Sequence, residues 1–240
     1  MGQFLRTDGI IMLEKKVLSD IVEWDIYTWS KGILYWDATL GPILENPSKK
    51  KVLDLGARNG GTSLFFALKG LNCTCSDIHE PSEQAKTLHK RYGVSDLVRY
   101  ECVDCTNIDF PDNTFDIVAF KSVMGSVGAN NNFDNIEKAF DEIYRVLKPG
   151  GVLLFCENLQ GAFLHMFLRK RFIRWSRTWN YLTLDYMNQS MGRFSEHSLH
   201  TYGFLNCMIK DNSAINWFDS RLCRRLKPQN QYMCYGHAQK

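Results

Sequence analysis

The feature that most limits what this chain can become is an alternation of short apolar runs with helical patterns, beginning at Lys50. KKVLDL, TSLFFALKG, LNCTCSDI, SEQAKTLHKRYG and LVRYECVD follow one another, and FDIVAF (Phe115 to Phe120) adds a further run. This rhythm predicts a parallel sheet joined by crossover helices. A helix is expected from about Phe133 to Leu147, where Ile136, Ala139, Phe140, Ile143, Val146 and Leu147 share one face. Lys148-Pro149-Gly150-Gly151 should stop it, and VLLFC (Val152 to Cys156) reads as the fifth strand.

The remaining segments follow from that frame. Phe204 to Ile209 and Gln231 to Gly236 read as the last strands, the final one antiparallel. The expected fold is α/β, a Rossmann-like, mostly parallel sheet with helices on both faces. One domain is expected over 1–240, divided into an N-terminal helical lid (1–48), a cofactor-binding core (49–158), a cap insertion (159–200) and terminal strands (201–240). Val17 to Trp36 repeats apolar residues at helical spacing, through Ile21, Trp24, Trp29, Ile33 and Trp36. It reads either as a helix packed on the sheet or as a lid whose tryptophans close over a ligand.

Composition excludes some classes of function. A net charge of +3 over 240 residues does not by itself call for nucleic acid. No apolar run approaches the roughly 20 residues of a membrane span, so a cytoplasmic protein is expected. Eight cysteines invite a metal site. However, Cys73 and Cys75 face one side of a strand while Cys102 and Cys105 face opposite sides, so the thiols do not converge and no metal is expected.

The stretch VLDLGARNGG, Val52 to Gly61, is a strand running into a glycine turn and a helix. Such a turn brings backbone N–H groups close to a ligand. Its spacing departs from the dinucleotide fingerprint, because Arg58 stands where a middle glycine belongs. About twenty residues on, Asp77 closes the second strand, where a carboxylate can accept the hydroxyls of a ribose. Val103-Asp104-Cys105-Thr106 ends the third; its carboxylate could accept from an adenine amino group between the apolar faces of Ile78 and Ile108. The ligand suggested is a nucleoside without a diphosphate.

The ordered motifs VLDLGARNGG, CSDI, VDCTNIDFPDNTFDIVAF and YRVLKPGGVLLF resemble those of class I S-adenosylmethionine-dependent methyltransferases, of the methyltransferase domain type 11 kind, across Val52 to Glu157. The resemblance implies S-adenosyl-L-methionine as cofactor. Gly56, Ala57 and Arg58 or Asn59 would face its methionine part and Asp77 its ribose. Asp104, Cys105 and Thr106 would meet the adenine with Ile78, and Lys121 would border it through its backbone. Arg58 must widen the turn, leave the pocket or bind an anion there.

Residues just after the fourth and fifth strands should face the methyl acceptor. Glu157 and His165 are therefore the candidates to deprotonate or orient it; a carboxylate bonding a helix terminus and an ordinary core or surface histidine are their bland readings. Leu164 to Leu182 reads as one helix with an apolar stripe through Leu164, Leu168, Phe172, Trp175, Trp179 and Leu182. Arg169, Lys170, Arg171, Arg174 and Arg177 lie opposite, a pattern suited to a membrane surface or a lipid diphosphate at the inner face, or to an ordinary solvated face. FKSVMGSVG followed by ENLQGAFLHMFLRKRF is similar to methyltransferases of bacterial surface-polysaccharide clusters, which implies a sugar hydroxyl as acceptor. The alternatives are a natural-product acceptor, in a closed pocket of Trp24, Trp29, Trp36 and Trp179, and a catalytically silent cofactor-binding scaffold.

Overall fold

The computed structural model describes residues 6–7, 10–11, 15–41, 44–173, 175–206 and 213–240. A two-residue pairing of β1 (Arg6–Thr7) with β2 (Ile10–Ile11) precedes helices α1 (Lys15–Val22) and α2 (Ile26–Leu40). The alternating core follows as β3 (Lys51–Leu55), α3 (Gly61–Leu68), β4 (Asn72–Asp77), α4 (Glu83–Arg91) and β5 (Val98–Cys102). It continues through β6 (Phe115–Lys121), the one-turn α5 (Met124–Val127), α6 (Phe133–Val146) and β7 (Leu147–Asn158). Beyond it lie α7 (Phe163–Phe172), α8 (Leu184–Met191), β8 (Glu196–Tyr202), α9 (Ser213–Cys223) and β9 (Met233–Gln239).

Seven strands form one sheet in the order β5-β4-β3-β6-β7-β9-β8, with β9 antiparallel to both of its neighbours. This is the expected Rossmann-like α/β sheet. The central strands are buried on both faces, as apolar runs such as Ile117 to Phe120 and Leu153 to Cys156 require. On one face α2 and α3 seal the core with Trp29, Ile33, Trp36, Phe65 and Phe66. On the other, the stripe Ile136, Ala139, Phe140, Ile143 and Val146 of α6 packs with Met187 and Met191 of α8.

The chain order reverses between β3 and β6, and a crevice opens at the carboxyl ends of strands at such a switch point. Register aligns what borders it. Leu55 pairs with Phe120, Lys121 with Cys156 and Asn158 with Met233, so the residues that follow these strands share one edge of the sheet with Tyr232, just before β9.

Several expectations fail beyond the alternating core. The helix read from Val17 to Trp36 is two helices, broken at Glu23 and Asp25, both of which have positive φ. The helix read from Leu164 to Leu182 stops at Phe172, and a short 3-10 turn occupies Trp175–Arg177. Tertiary hydrogen bonds draw the rest into extended chain: Asn180 N–H donates to Gly125, Asn130 N–H to Thr178, and Gln160 N–H to Leu182. The strand expected from Phe204 to Ile209 lies earlier, as β8, and residues 207–209 fall outside the described ones. Its sequence EHSLHTY has half-exposed edge positions and little alternation to signal a strand. The final strand, read as Gln231 to Gly236, runs Met233–Gln239.

Candidate functional site

The crevice at the switch point is a cleft of about 1030 Å³. At one end is the glycine turn. Gly56 has φ +65°, and a Cβ there would lie 2.5 Å from Val123 Cγ2, so chain and strand end approach too closely for any side chain. Ala57 N–H donates to Ser76 O at 2.8 Å, tying the turn to β4. Arg58 keeps a left-handed φ of +50° at the position of the missing glycine, and its guanidinium lies over Trp24, 5.3 Å from the ring centroid. The turn therefore tolerates arginine because the side chain leans onto the aromatic wall.

Asp77, at the end of β4, clamps this geometry. Its Oδ2 accepts from Arg58 N–H at 3.1 Å and its Oδ1 from Ile78 N–H at 2.8 Å. Each oxygen keeps a lone pair for a further donor. Beneath the turn, Asp54 accepts from Ser63 Oγ at 2.5 Å; its Oδ1 has no partner among the described residues, and burial pushes the carboxyl up to about 7. Asn59 does not line the cleft itself but donates at 2.9 Å to Oε2 of Glu23, which does.

Of the residues expected to hold a cofactor, Gly56, Ala57, Arg58 and Lys121 line the cleft. Asp77, Ile78, Asp104, Cys105 and Thr106 do not; Asp77 closes β4 and the others sit beyond the ends of β4 and β5. Asp104 Oδ1 accepts from both Thr106 N–H and Thr106 Oγ1 at 2.8 Å, which closes a local turn. Ile78 is largely exposed, but Ile108 is buried in the core and offers no apolar face to a ligand. Lys121 contributes more than backbone. Its Nζ donates to Val22 O at 3.1 Å and lies 3.3 Å from the Trp24 ring centroid, while burial brings its amine down to about 8.

The two proposed acid–base residues do not reach the cleft's lining. Glu157 is fully buried; Oε2 accepts from Val123 and Met124 N–H at 2.8 and 2.7 Å, and Oε1 from Asn158 N–H at 2.8 Å. It holds the backbone at the start of α5, with burial raising its carboxyl to about 7. His165 is buried beneath Phe204, where its Nε2 meets the Phe204 carbonyl and burial lowers its pKa to about 4. Of the expected basic face, Arg169 is buried and lines the cleft, whereas Lys170, Arg171 and Arg177 are exposed. Arg174 lies outside the described residues.

The far end of the cleft carries groups that the sequence did not disclose. Asp25 reaches it from the break between α1 and α2, and its carboxylate accepts from Tyr232 Oη. Tyr232 Oη also lies 2.8 Å from Thr28 Oγ1. Burial dominates the environment of Asp25 and lifts its carboxyl to about 6. Glu23, Asp25, Arg58 and Ser122 all line the cleft and all have positive φ, a costly conformation that clusters at functional sites. Of the expected tryptophan pocket, Trp24, Trp29 and Trp179 line the cleft, but Trp36 belongs to the core, where its Nε1 donates to Phe155 O at 3.3 Å. The only local signal for Asp25 is the pair of acidic residues that interrupts the apolar stripe at Glu23-Trp24-Asp25.

A sheet of this order, with a glycine turn at its switch point and an acidic residue closing the next strand, defines a methyltransferase fold. Residues 53–155 match the family described as a methyltransferase domain. A demethylmenaquinone methyltransferase of Leptospira interrogans is 36% identical over 135 residues, 52% of this chain and 51% of the relative. A sterol 24-C-methyltransferase of Eremothecium gossypii is 35% identical over 109 residues, 44% of this chain and 27% of the relative. The chain thus spans about half or less of the length of these relatives. The solved Haemonchus contortus phosphoethanolamine N-methyltransferase 2, in complex with S-adenosyl-L-methionine, shares the fold at a TM-score of 0.60 and 17% identity, over 98% of this chain and 60% of that one. Residues 53–155 thus match a methyltransferase domain, on a fold shared with a solved S-adenosyl-L-methionine-bound methyltransferase.

Proposed function

We propose that the protein transfers a methyl group from S-adenosylmethionine to a hydroxyl-bearing small molecule, with Asp25 as the general base. The observation that carries this reading is a single cleft bordered at one end by the Gly56 turn and at the other by a carboxyl raised to about 6. Gly56, Ala57 and Arg58 would hold the methionine part of the cofactor, and the free lone pairs of Asp77 would take the ribose hydroxyls. The close approach at Gly56 and the unfilled acceptor capacity of Asp77 both fit this group. The cofactor supplies a methyl group activated on a sulfonium.

The chain itself aligns, desolvates and accepts a proton. Trp24 and Trp29 form an aromatic wall beside Lys121, a surface against which a bound acceptor would displace water. Much of methyl transfer comes from positioning. A base with a pKa near 6 is ionised at neutral pH and can take the acceptor's hydroxyl proton as the new bond forms. The Tyr232 hydroxyl fixes the carboxylate's orientation.

The acceptor is a sugar or a phenol, and its hydroxyl is the group methylated. A second reading is methylation at carbon, which the curated relatives' names favour. The same base would serve by ionising a phenolic or enolic hydroxyl beside the reacting carbon. We also place the protein at an anionic membrane surface. Phe163, Leu164, Phe167 and Phe172 of α7 and Trp217 and Phe218 of α9 are exposed, and Lys170, Arg171, Arg221, Arg224 and Arg225 accompany them. Exposed aromatics with basic neighbours suit headgroups, and no described helix is long and apolar enough to cross a bilayer.

Calorimetric titration with S-adenosylmethionine and S-adenosylhomocysteine, with NAD as control, tests the cofactor. Saturable binding of the two sulfur nucleosides alone is expected. A folded protein that binds neither would overturn the cofactor assignment and with it both methyl transfer and a cofactor-binding scaffold. Product mass and position, from reactions with glucose and catechol as probe acceptors, then separate oxygen from carbon methylation.

A further inference from the structure

We infer that the far end of the cleft is a subsite for an anionic oxygen group, a carboxylate or a phosphate monoester, carried by the acceptor, with Arg169 and Asn206 as its recognition residues. The inference rests on the methyltransferase reading of the same cleft and adds the acceptor's chemical class.

Arg169 lies on α7, yet it is 4% exposed and turns inward to line the cleft. Its Nη1 donates to Leu159 O at 2.8 Å, just beyond the end of β7. Its guanidinium carbon lies 4.8 Å from the Tyr181 ring centroid and 5.0 Å from that of Tyr232. Two rings and a carbonyl thus fix the fork, but Nη2 is shielded from water and has no hydrogen-bond partner among the described residues. An unsatisfied donor on a buried cation is expensive, and an arginine fork is the group best shaped for planar recognition of carboxylate or phosphate.

A second side chain in the cleft shows the same deficit. Asn206 is 6% exposed, lines the cleft, and neither its amide oxygen nor its amide nitrogen has a partner among the described residues. A buried amide with all of its capacity unused has room to donate to an anion beside the guanidinium and to accept from a hydroxyl near it.

Position argues that this anion belongs to the acceptor. Arg169 and Asn206 sit with Tyr232 on the β7-β9-β8 side, whereas the glycine turn lies at the end of β3. Between β3 and β9 are three strand spacings, about 14 Å. The glycine-turn end has cations of its own in Arg58 and Lys121. Asp25, hydrogen-bonded to Tyr232, shares this end of the cleft, so an acceptor held by its anion at Arg169 presents a hydroxyl toward the base.

The test uses the full chain loaded with S-adenosylhomocysteine and follows tryptophan fluorescence from Trp24, Trp29 and Trp179. Probes are inorganic phosphate, glucose 1-phosphate and 4-hydroxybenzoate, each set against an uncharged counterpart: glucose for the sugar phosphate and methyl 4-hydroxybenzoate for the acid. Saturable binding is expected for at least one anionic probe and not for its neutral partner; the preference for phosphate or carboxylate names the group. Arg169→Gln should weaken that binding by about tenfold or more, with S-adenosylhomocysteine affinity held within about twofold. Asn206→Ala, which leaves the arginine's packing untouched, should weaken it by about three- to tenfold. Equal binding of charged and neutral probes, or unchanged anion affinity in both variants, overturns the subsite. Loss of S-adenosylhomocysteine binding in the parent protein defeats the methyltransferase reading instead, and the anion titration can still be run on the unloaded chain.

Discussion

At the glycine-turn end of the cleft the turn residues and Lys121 come from Gly56 to Lys121, backbone bonds hold the turn, and Trp24 covers Arg58 and Lys121 from the α1–α2 break. At the far end Asp25, Arg169, Asn206 and Tyr232 arrive from separate segments, and side-chain contacts join Asp25 and Arg169 to Tyr232. The first arrangement is local and survives changes elsewhere in the chain. The second depends on assembly of the whole fold, and that is where a methyltransferase can vary its acceptor without disturbing the cofactor. Substitution at each end should therefore separate catalysis from cofactor binding.

The largest expected effect is at the far end. Asp25→Asn keeps the size of the side chain and removes the base; turnover should fall by about 10²- to 10⁴-fold, with S-adenosylhomocysteine affinity within about twofold. Because burial raises this carboxyl from 3.8 to about 6, the base is ionised only above that pH. In the parent protein kcat/KM should rise as pH increases through about 6 and level off above it. The Asn variant should lack that limb. A limb that persists in the variant assigns it to another group and removes Asp25 as base.

Asp77→Ala probes the other end and should do the converse. Loss of charge-assisted hydrogen bonds there is expected to weaken S-adenosylhomocysteine binding by about 1.5–3 kcal/mol. Binding of an acceptor probe should change far less. Unchanged cofactor affinity by titration calorimetry would detach Asp77 from the ribose, leaving it only as the clamp on Arg58 and Ile78 N–H.

The same division explains what the sequence could disclose. The β3 strand, its glycine turn and α3 obey local rules, since an apolar run, positive-φ glycines and a buried helix follow one another within Val52 to Leu68. Asp77 was legible because strand length fixes its distance from the turn. Glu157, expected just after the fifth strand, lies within β7, and no spacing rule could say that two N–H groups at the start of α5 and that of Asn158 would consume its oxygens. Asp25 was hidden by the apolar stripe of Ile21, Trp24 and Trp29, which reads as one helix unless the left-handed turn at Glu23 and Asp25 is known. Arg169 looked like part of a solvated basic face. Its inward turn depends on Tyr181 and Tyr232, the latter more than sixty residues away along the chain.

Beyond the cleft, the exposed side of α7 contrasts with the inward-facing Arg169 of the same helix. The paired change Phe163→Ser and Phe167→Ser removes two exposed rings without touching the core. Partitioning onto vesicles containing phosphatidylserine should drop by about tenfold, since partial burial of two rings is worth on the order of 1–2 kcal/mol. High salt should weaken binding of the parent chain too, as the basic neighbours require. Turnover on a water-soluble acceptor should stay level. Equal partitioning of parent and variant in a sedimentation assay would remove the membrane surface.

The smallest effect is expected outside the cleft lining, at Glu157. Glu157→Gln preserves an acceptor for Val123 and Met124 N–H but turns a donor toward Asn158 N–H, and should cost about 1 kcal/mol of stability. Turnover per folded molecule should remain within about threefold, because the carboxylate lies outside the cleft lining. The cost should also depend on pH. Burial raises this carboxyl from 4.5 to about 7, so the stability it contributes is fully present below about pH 4.5 and is lost as pH rises through about 7. Glutamine has no such loss, and the gap between parent and variant in urea midpoints should be widest near pH 5 and narrower at pH 8. A large loss of turnover with an unchanged midpoint would instead make Glu157 the base, and would shift the chemical centre of the cleft from the α1–α2 break to the end of β7.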